Sequence, residues 1–127
     1  MRVQNNTLFI HKGDTGKIEI KIKLPNGDPF PYTDISNIYF TVKYEDGSDI
    51  EKAHDNGTGD IELTGGAEED TIATIWFNHE DTSAMPIGRY RYDVQINYIK
   101  NGKSSIFTLI PPSDFIIEKV ITLKPFS

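Results

Sequence analysis

The chain contains no cysteine. A disulfide framework, a thiolate metal site and a cysteine nucleophile are therefore excluded, and any reactive site would be built from histidines, carboxylates and hydroxyls. His11 stands at the end of an apolar run, His54 in a polar turn and His79 just before Glu80-Asp81. No two share a metal-ligand spacing such as i, i+2 with a third ligand nearby, and all three read as loop or rim histidines. Asp55-Asn56-Gly57-Thr58-Gly59-Asp60 has the oxygen-rich composition of a calcium loop. However, the twelfth position carries Gly66 instead of a bidentate Glu, and the helix–loop–helix frame is missing; the segment reads as a polar hairpin turn. Asp14-Thr15-Gly16 has the letters of the aspartic-protease loop, but that chemistry needs two such loops in a longer, two-lobed chain. Glu68-Glu69-Asp70 follows Gly65-Gly66 in a turn, and adjacent strand residues diverge, so it reads as a solvated cluster and not as a paired acid and base. No G-x-S-x-G elbow, H-E-x-x-H helix or phosphate-binding G-x-x-x-x-G-K-[ST] loop occurs. Tyr90, Tyr92 and Tyr98 have the makings of a sugar-stacking platform, but they share an alternating face with Val94 and Ile96 and read as core with hydroxyls at the rim. The expectation is no catalytic residue, no metal and no cofactor.

The elements that carry these residues repeat with period two. Ile18, Ile20, Ile22 and Leu24 alternate with Lys17, Glu19, Lys21 and Lys23. On a strand, successive side chains point to opposite faces, so one face is aliphatic and the other charged. Ile38–Tyr44 repeats the pattern through Ile38, Phe40, Val42 and Tyr44. Gly88–Ile99 is the longest case, with Tyr90, Tyr92, Val94, Ile96 and Tyr98 against Arg89, Arg91, Asp93, Gln95 and Asn97. Shorter strands fit Thr7–His11, Asp60–Thr64, Ile72–Phe77, Ser104–Ile110 and Phe115–Leu123. In Ile72–Phe77 the inward set is either Ala73, Ile75 and Phe77 or Ile72, Thr74 and Trp76. Pro25-Asn26-Gly27-Asp28-Pro29, Glu45-Asp46-Gly47-Ser48 and Asn101-Gly102 supply turn chemistry between the runs. The helical candidate is one turn around Glu80–Ala84, stopped by Pro86. Seven to nine short strands with turns every 8–12 residues predict an all-β, antiparallel sandwich or barrel.

At 127 residues the chain fits one domain, residues 1–127, burying roughly two thirds of its unfolded surface. No apolar run approaches the ~18 residues of a membrane helix, so no membrane insertion is expected. Met1–Lys12 has neither an apolar signal core nor a cleavage pattern. Thirteen basic residues against nineteen acidic ones give a net charge of −6, which argues against a nucleic-acid surface.

The most distinctive constellation is Asp81-Thr82-Ser83-Ala84-Met85-Pro86-Ile87-Gly88-Arg89-Tyr90-Arg91-Tyr92-Asp93. A turn opened by Asp81 passes through Gly88 into a long strand beginning with Tyr90. In immunoglobulin-like sandwiches a Tyr near the start of the sixth strand bonds back to backbone a few residues upstream and pins the corner. Asp81, Gly88 and Tyr90 are the structural-corner residues of this reading, with the Tyr90 hydroxyl expected on backbone near Asp81. Tyr92 stands where such domains carry a cysteine, and Phe40 is a candidate for the central core position usually held by Trp.

Three stretches then resemble a known family. They are Phe9-Ile10-His11-Lys12-Gly13-Asp14-Thr15 with the following Ile18–Leu24 strand, Ile38-Tyr39-Phe40-Thr41-Val42-Lys43, and Glu80-Asp81-Thr82 through Gly88-Arg89-Tyr90-Arg91-Tyr92-Asp93-Val94-Gln95. In order and spacing they resemble the immunoglobulin-like N-terminal module of tailed-phage baseplate upper proteins and related prophage tail proteins. Lys12 stands where that family often has Arg before Gly-Asp. The resemblance implies an immunoglobulin-like sandwich and a non-enzymatic structural or assembly role in a phage or prophage tail or baseplate. It further implies other tail proteins or itself as partners, and a virion location after synthesis in the bacterial cytoplasm without a signal peptide. The alternative from another class is a carbohydrate- or ligand-binding β-sandwich, which paired exposed aromatics on one sheet would favour.

Overall fold

The computed structural model describes residues 1–23, 35–43, 49–55, 58–66 and 69–120. Ten strand segments and one short helix follow in the order β1 (Arg2–Gln4), β2 (Thr7–His11), β3 (Gly16–Ile22), β4 (Ile35–Lys43), β5 (Asp49–Asp55), β6 (Thr58–Gly59), β7 (Ile61–Gly66), β8 (Glu69–Phe77), α1 (His79–Ser83), β9 (Gly88–Lys100) and β10 (Lys103–Glu118). They form two sheets, β1-β2-β10-β9-β4-β5-β6 and β3-β8-β7. Read from β2 onward, this is the strand order of an immunoglobulin-like sandwich of the variable type. Among the described residues every pairing is antiparallel except one: β2 runs parallel to the end of β10, with Leu8 opposite Phe115 and Ile10 opposite Ile117.

The period-two pattern sets which side chains meet between the sheets. Ile38, Phe40, Val42, Val94 and Ile96 point inward from the large sheet, Ile22 and Ile75 from the small one, and all are fully buried. In β8 the inward set is Ala73, Ile75 and Phe77, while Trp76 faces out and is 50 % exposed. Phe40 lies at the centre of an aromatic cluster, 5.5 Å from Phe77, 5.2 Å from Tyr92 and 6.4 Å from Phe115 between ring centroids. Such offset and edge contacts add to area burial. The outer face of the small sheet is charged, with Lys17 lying 3.4 Å from Glu19 and 5.2 Å over the Trp76 ring. Charged side chains on edge strand β3 discourage pairing with a foreign strand.

Several elements differ from the sequence-based expectation. Ser104–Ile110 and Phe115–Leu123 are not separate strands. β10 is continuous from Lys103 to Glu118 and keeps its pairing with β9, with register shifts between Thr108 and Ser113 that accommodate Pro111-Pro112. Proline removes a ladder donor without ending a strand that can bulge around it. β5 and the short β1 and β6 were not foreseen. The Pro25–Pro29 and Glu45–Ser48 turns, and Leu24, Tyr44 and residues 121–123 of the expected strands, lie outside the described residues.

Candidate functional site

The residues singled out by sequence meet at the end of the sandwich where β8 turns into β9. Asn78 caps α1: its Oδ1 accepts from the Asp81 N–H at 3.1 Å, and Asp81 Oδ2 accepts from the Asn78 N–H at 2.8 Å. This reciprocal capping box satisfies two helix-end donors and fixes the first turn. The same Asp81 Oδ2 lies 2.8 Å from Lys52 Nζ, an ion pair whose side chains are only 7 % and 16 % exposed. Lys52 points inward from β5 and passes 5.8 Å from the Phe77 ring. The pair ties the large sheet to the corner.

The turn between β2 and β3 is bound to the same helix. Thr82 is fully buried, and its Oγ1 accepts from the Gly13 N–H at 2.8 Å. His79 Nδ1 donates to the Gly13 carbonyl at 2.7 Å. Gly13 has φ +81°, and a Cβ there would stand 3.4 Å from the His79 ring. Both the left-handed backbone and the close approach favour glycine.

Tyr90 is 1 % exposed, and its hydroxyl donates to the Pro86 carbonyl at 2.6 Å. The acceptor expected near Asp81 is thus Pro86. The Asp81 carboxylate is committed to the helix cap and Lys52, and the carbonyl four residues upstream is the one Tyr90 reaches across the corner. Gly88 has φ +151°, with nothing within 4 Å of an added Cβ, so its conformation and not crowding favours glycine. Tyr92 donates to the Asn6 carbonyl, tying β9 to the β1–β2 turn. Burial pushes the Tyr92 hydroxyl up to about 12.

The chemistry of this corner is cohesive. Asp81, His79, Thr82 and Tyr90 each bind a backbone group, and Asp81 also binds a buried ammonium. The other histidines are also engaged: His11 Nδ1 lies 3.9 Å from Asp14, and His54 Nδ1 is 3.3 Å from the Ile61 carbonyl. Among the described residues no group of three or more His, Cys, Asp or Glu is placed to hold a metal ion. The Asp55–Asp60 turn lies partly outside the described residues, as does Glu68, while Glu69 and Asp70 open β8.

The outer face of the large sheet is the second notable feature, and sequence reasoning did not single it out. Cross-strand register sets Tyr39 beside Gln95 and Asn37 beside Asn97, with Thr108 and Ile106 on the far side of β9 and Ala53 and Asp55 opposite Tyr39 and Asn37 on β5. Asn97 Nδ2 donates to Asn37 Oδ1 at 3.0 Å, and Ser104 Oγ donates to Asn97 Oδ1 at 2.6 Å. Ile106 is 73 % exposed, Ile99 46 % and Tyr39 44 %. Charges return toward the other end of the face, where Arg91 Nη1 lies 2.7 Å from Asp114 Oδ1 and Nη2 donates to the Pro112 carbonyl at 2.8 Å. An open groove of about 290 Å³ runs there between Lys43, Arg91, Asp93 and Pro112; ligand pockets span about 300–1,000 Å³ and enclose most of the ligand.

No family model matches the chain, and no curated protein matches it in sequence.

Proposed function

We propose that the chain is a non-enzymatic structural module of a phage or prophage tail or baseplate, acting through protein–protein contacts with other tail proteins or with itself. The phage assignment rests on the sequence resemblance. The observation that carries the contact role is the outer face of the large sheet, which presents Tyr39, Ile99 and Ile106 to solvent. Exposed apolar side chains gathered on one face of a sheet are surface that a protein contact can cover. The three stretches that carry the resemblance are also joined in the fold. Gly13 from the first is bound to His79 and Thr82 at the corner, and β4 from the second pairs with β9 from the third. The carbohydrate-binding alternative draws on paired aromatics, whereas the exposed Tyr39 and Trp76 belong to different sheets.

The test is co-expression with the tail proteins encoded beside this chain, followed by sizing and pull-down at low and high salt. Stable co-purification with a tail protein or a defined self-assembly is expected. Persistent monomer with every neighbour, together with saturable binding on a glycan array, overturns the assembly role in favour of carbohydrate recognition.

A further inference from the structure

We infer that Asn101 is a conformation-gated deamidation site, held unreactive by the β9–β10 turn and released when that hairpin opens.

The chemistry lies within the chain. Asn101 is followed by Gly102, which has no Cβ to crowd the approach to its own amide nitrogen. That nitrogen attacks Asn101 Cγ. The N–Cγ bond forms, the Cγ–Nδ2 bond breaks, and the side-chain nitrogen leaves as ammonia with the proton from the Gly102 amide. The resulting five-membered succinimide takes up water at one of its two carbonyls, giving aspartate or isoaspartate at position 101. Nothing is oxidised or reduced, and water is the co-reactant.

The turn keeps these atoms apart. Ring closure requires the Gly102 nitrogen to eclipse Asn101 Cβ. Around the Cα–C bond, N and Cβ stand about 120° apart, so closure in an L residue sets ψ at about −120°. Lys100 pairs with Lys103, which leaves a loop of Asn101 and Gly102. Their φ values are 52° and 74°. Positive φ at both central residues is the type I′ turn, whose first central residue has ψ of about +30°. The Gly102 nitrogen therefore stands nearly opposite Cβ, and the peptide unit must swing by about 150° before it reaches Cγ. A two-residue loop has no slack for that swing, so the Lys100–Lys103 pairing has to open first. Both loop residues are exposed, and nothing lies within 4 Å of a Cβ built on Gly102. Water is thus at hand, and backbone conformation is what holds the reaction back.

The two products leave different marks. Aspartate suits the closed turn, because Asp-Gly favours type I′ as Asn-Gly does. Isoaspartate carries the main chain through the former side chain and adds a backbone carbon to the loop. The register beyond it, with Ile99 opposite Ser104 and Asn97 opposite Ile106, is then no longer matched to the turn, since loop length and turn type fix hairpin register. A hairpin that opens and forms isoaspartate is changed permanently.

The experiment is peptide mapping by mass spectrometry of the full chain, aged at mildly alkaline pH either folded or in urea, with deamidation read as a gain of one mass unit. Asn26-Gly27 and Asn56-Gly57 are the references in urea. A second protein carries one glycine inserted after Gly102, which leaves the reactive dipeptide intact and abolishes the two-residue loop; circular dichroism confirms its fold. In urea Asn101 should react as fast as Asn26 and Asn56. Folding should slow Asn101 by about tenfold or more, because reaction then waits on a local opening. The folded insertion variant should react several-fold faster at Asn101 than folded wild type. Folded wild type reacting at Asn101 as fast as in urea, or a folded insertion variant no faster than wild type, overturns the inference. If the insertion prevents folding, the comparison of wild type folded and in urea decides by itself.

Discussion

The Lys52–Asp81 pair offers the sharpest test of how the corner is held. Lys52 Nζ and Asp81 Oδ2 are 2.8 Å apart with side chains 7 % and 16 % exposed. The two ends of the pair are not equivalent. Asp81→Asn keeps an acceptor for the Asn78 N–H, so the helix cap survives, but it leaves the Lys52 ammonium buried beside Phe77 without a counter-charge. Breaking a buried pair from one side costs about 3–5 kcal/mol, a large share of the roughly 5–15 kcal/mol that holds a domain folded. Lys52→Met instead removes the more deeply buried charge and keeps much of the apolar stem that packs on Phe77. The remaining Asp81 carboxylate still accepts from the cap, so the expected loss is no more than about 1–2 kcal/mol. The double variant contains neither charge and should lose less than the sum of the two single changes, by a coupling of about 2–3 kcal/mol. Urea denaturation followed by far-ultraviolet circular dichroism measures all four proteins, with unchanged m-values certifying the comparison. Additive losses, or Lys52→Met proving the worse single change, would refute the reasoning that an unpaired buried ammonium dominates.

Further outcomes follow from neighbouring contacts. Tyr90→Phe leaves the Pro86 carbonyl without its hydroxyl partner and should destabilise by about 1–3 kcal/mol in the same assay; no loss would show that the corner does not depend on that bond. Ile22→Ala and Ile96→Ala, at fully buried positions, should each cost about 2–5 kcal/mol, whereas Gln95→Lys on the outer face stays within about ±0.5 kcal/mol. Tyr92, held up at about 12 by burial, stays neutral in the folded chain while an unfolded tyrosine ionises near 10. Its contribution is therefore complete below about pH 10 and lost as pH rises from about 10 to 12, by no more than about 2.7 kcal/mol. Tyr92→Phe should flatten that alkaline decline, and an unchanged slope in pH-dependent melts would place its origin elsewhere.

What could be read from the sequence was governed by the regularity of the alternation. β3, β4 and β9 alternate cleanly, and their inward residues, Ile18 and Ile22, Phe40 and Val42, Val94 and Ile96, are those the pattern selects. β5 escaped notice because its inward positions are Ile50 and Lys52. A lysine at a core position breaks the pattern, and only the distant Asp81, brought alongside by the fold, makes it tolerable. Asp81 was read as opening the turn, whereas the cap is Asn78 three residues earlier, and the attachment of Gly13 to His79 and Thr82 spans more than sixty residues and leaves no local signature. Tyr90 was found through its spacing, although the choice of Pro86 as acceptor depends on the path of the turn. The outer face escaped for another reason. Single exposed apolar residues are ordinary, and that Ile106 and Tyr39 stand on the same face of one sheet is known only with the cross-strand register.

The parallel pairing of β2 with β10 has a consequence for how the chain is made. Leu8 and Ile10 complete their side of the core only when they lie against Phe115 and Ile117, more than a hundred residues later. β2 is made long before β10, so while β3 to β9 are translated only β1, of its two neighbours, is at hand. Until β10 follows, the apolar side chains of β2 remain uncovered, and loop closure over nearly the whole domain must precede the contacts that reward it. The unfinished domain thus carries β2 with its apolar side chains uncovered, and anything that separates β2 from the end of β10 would leave the sandwich open along one side.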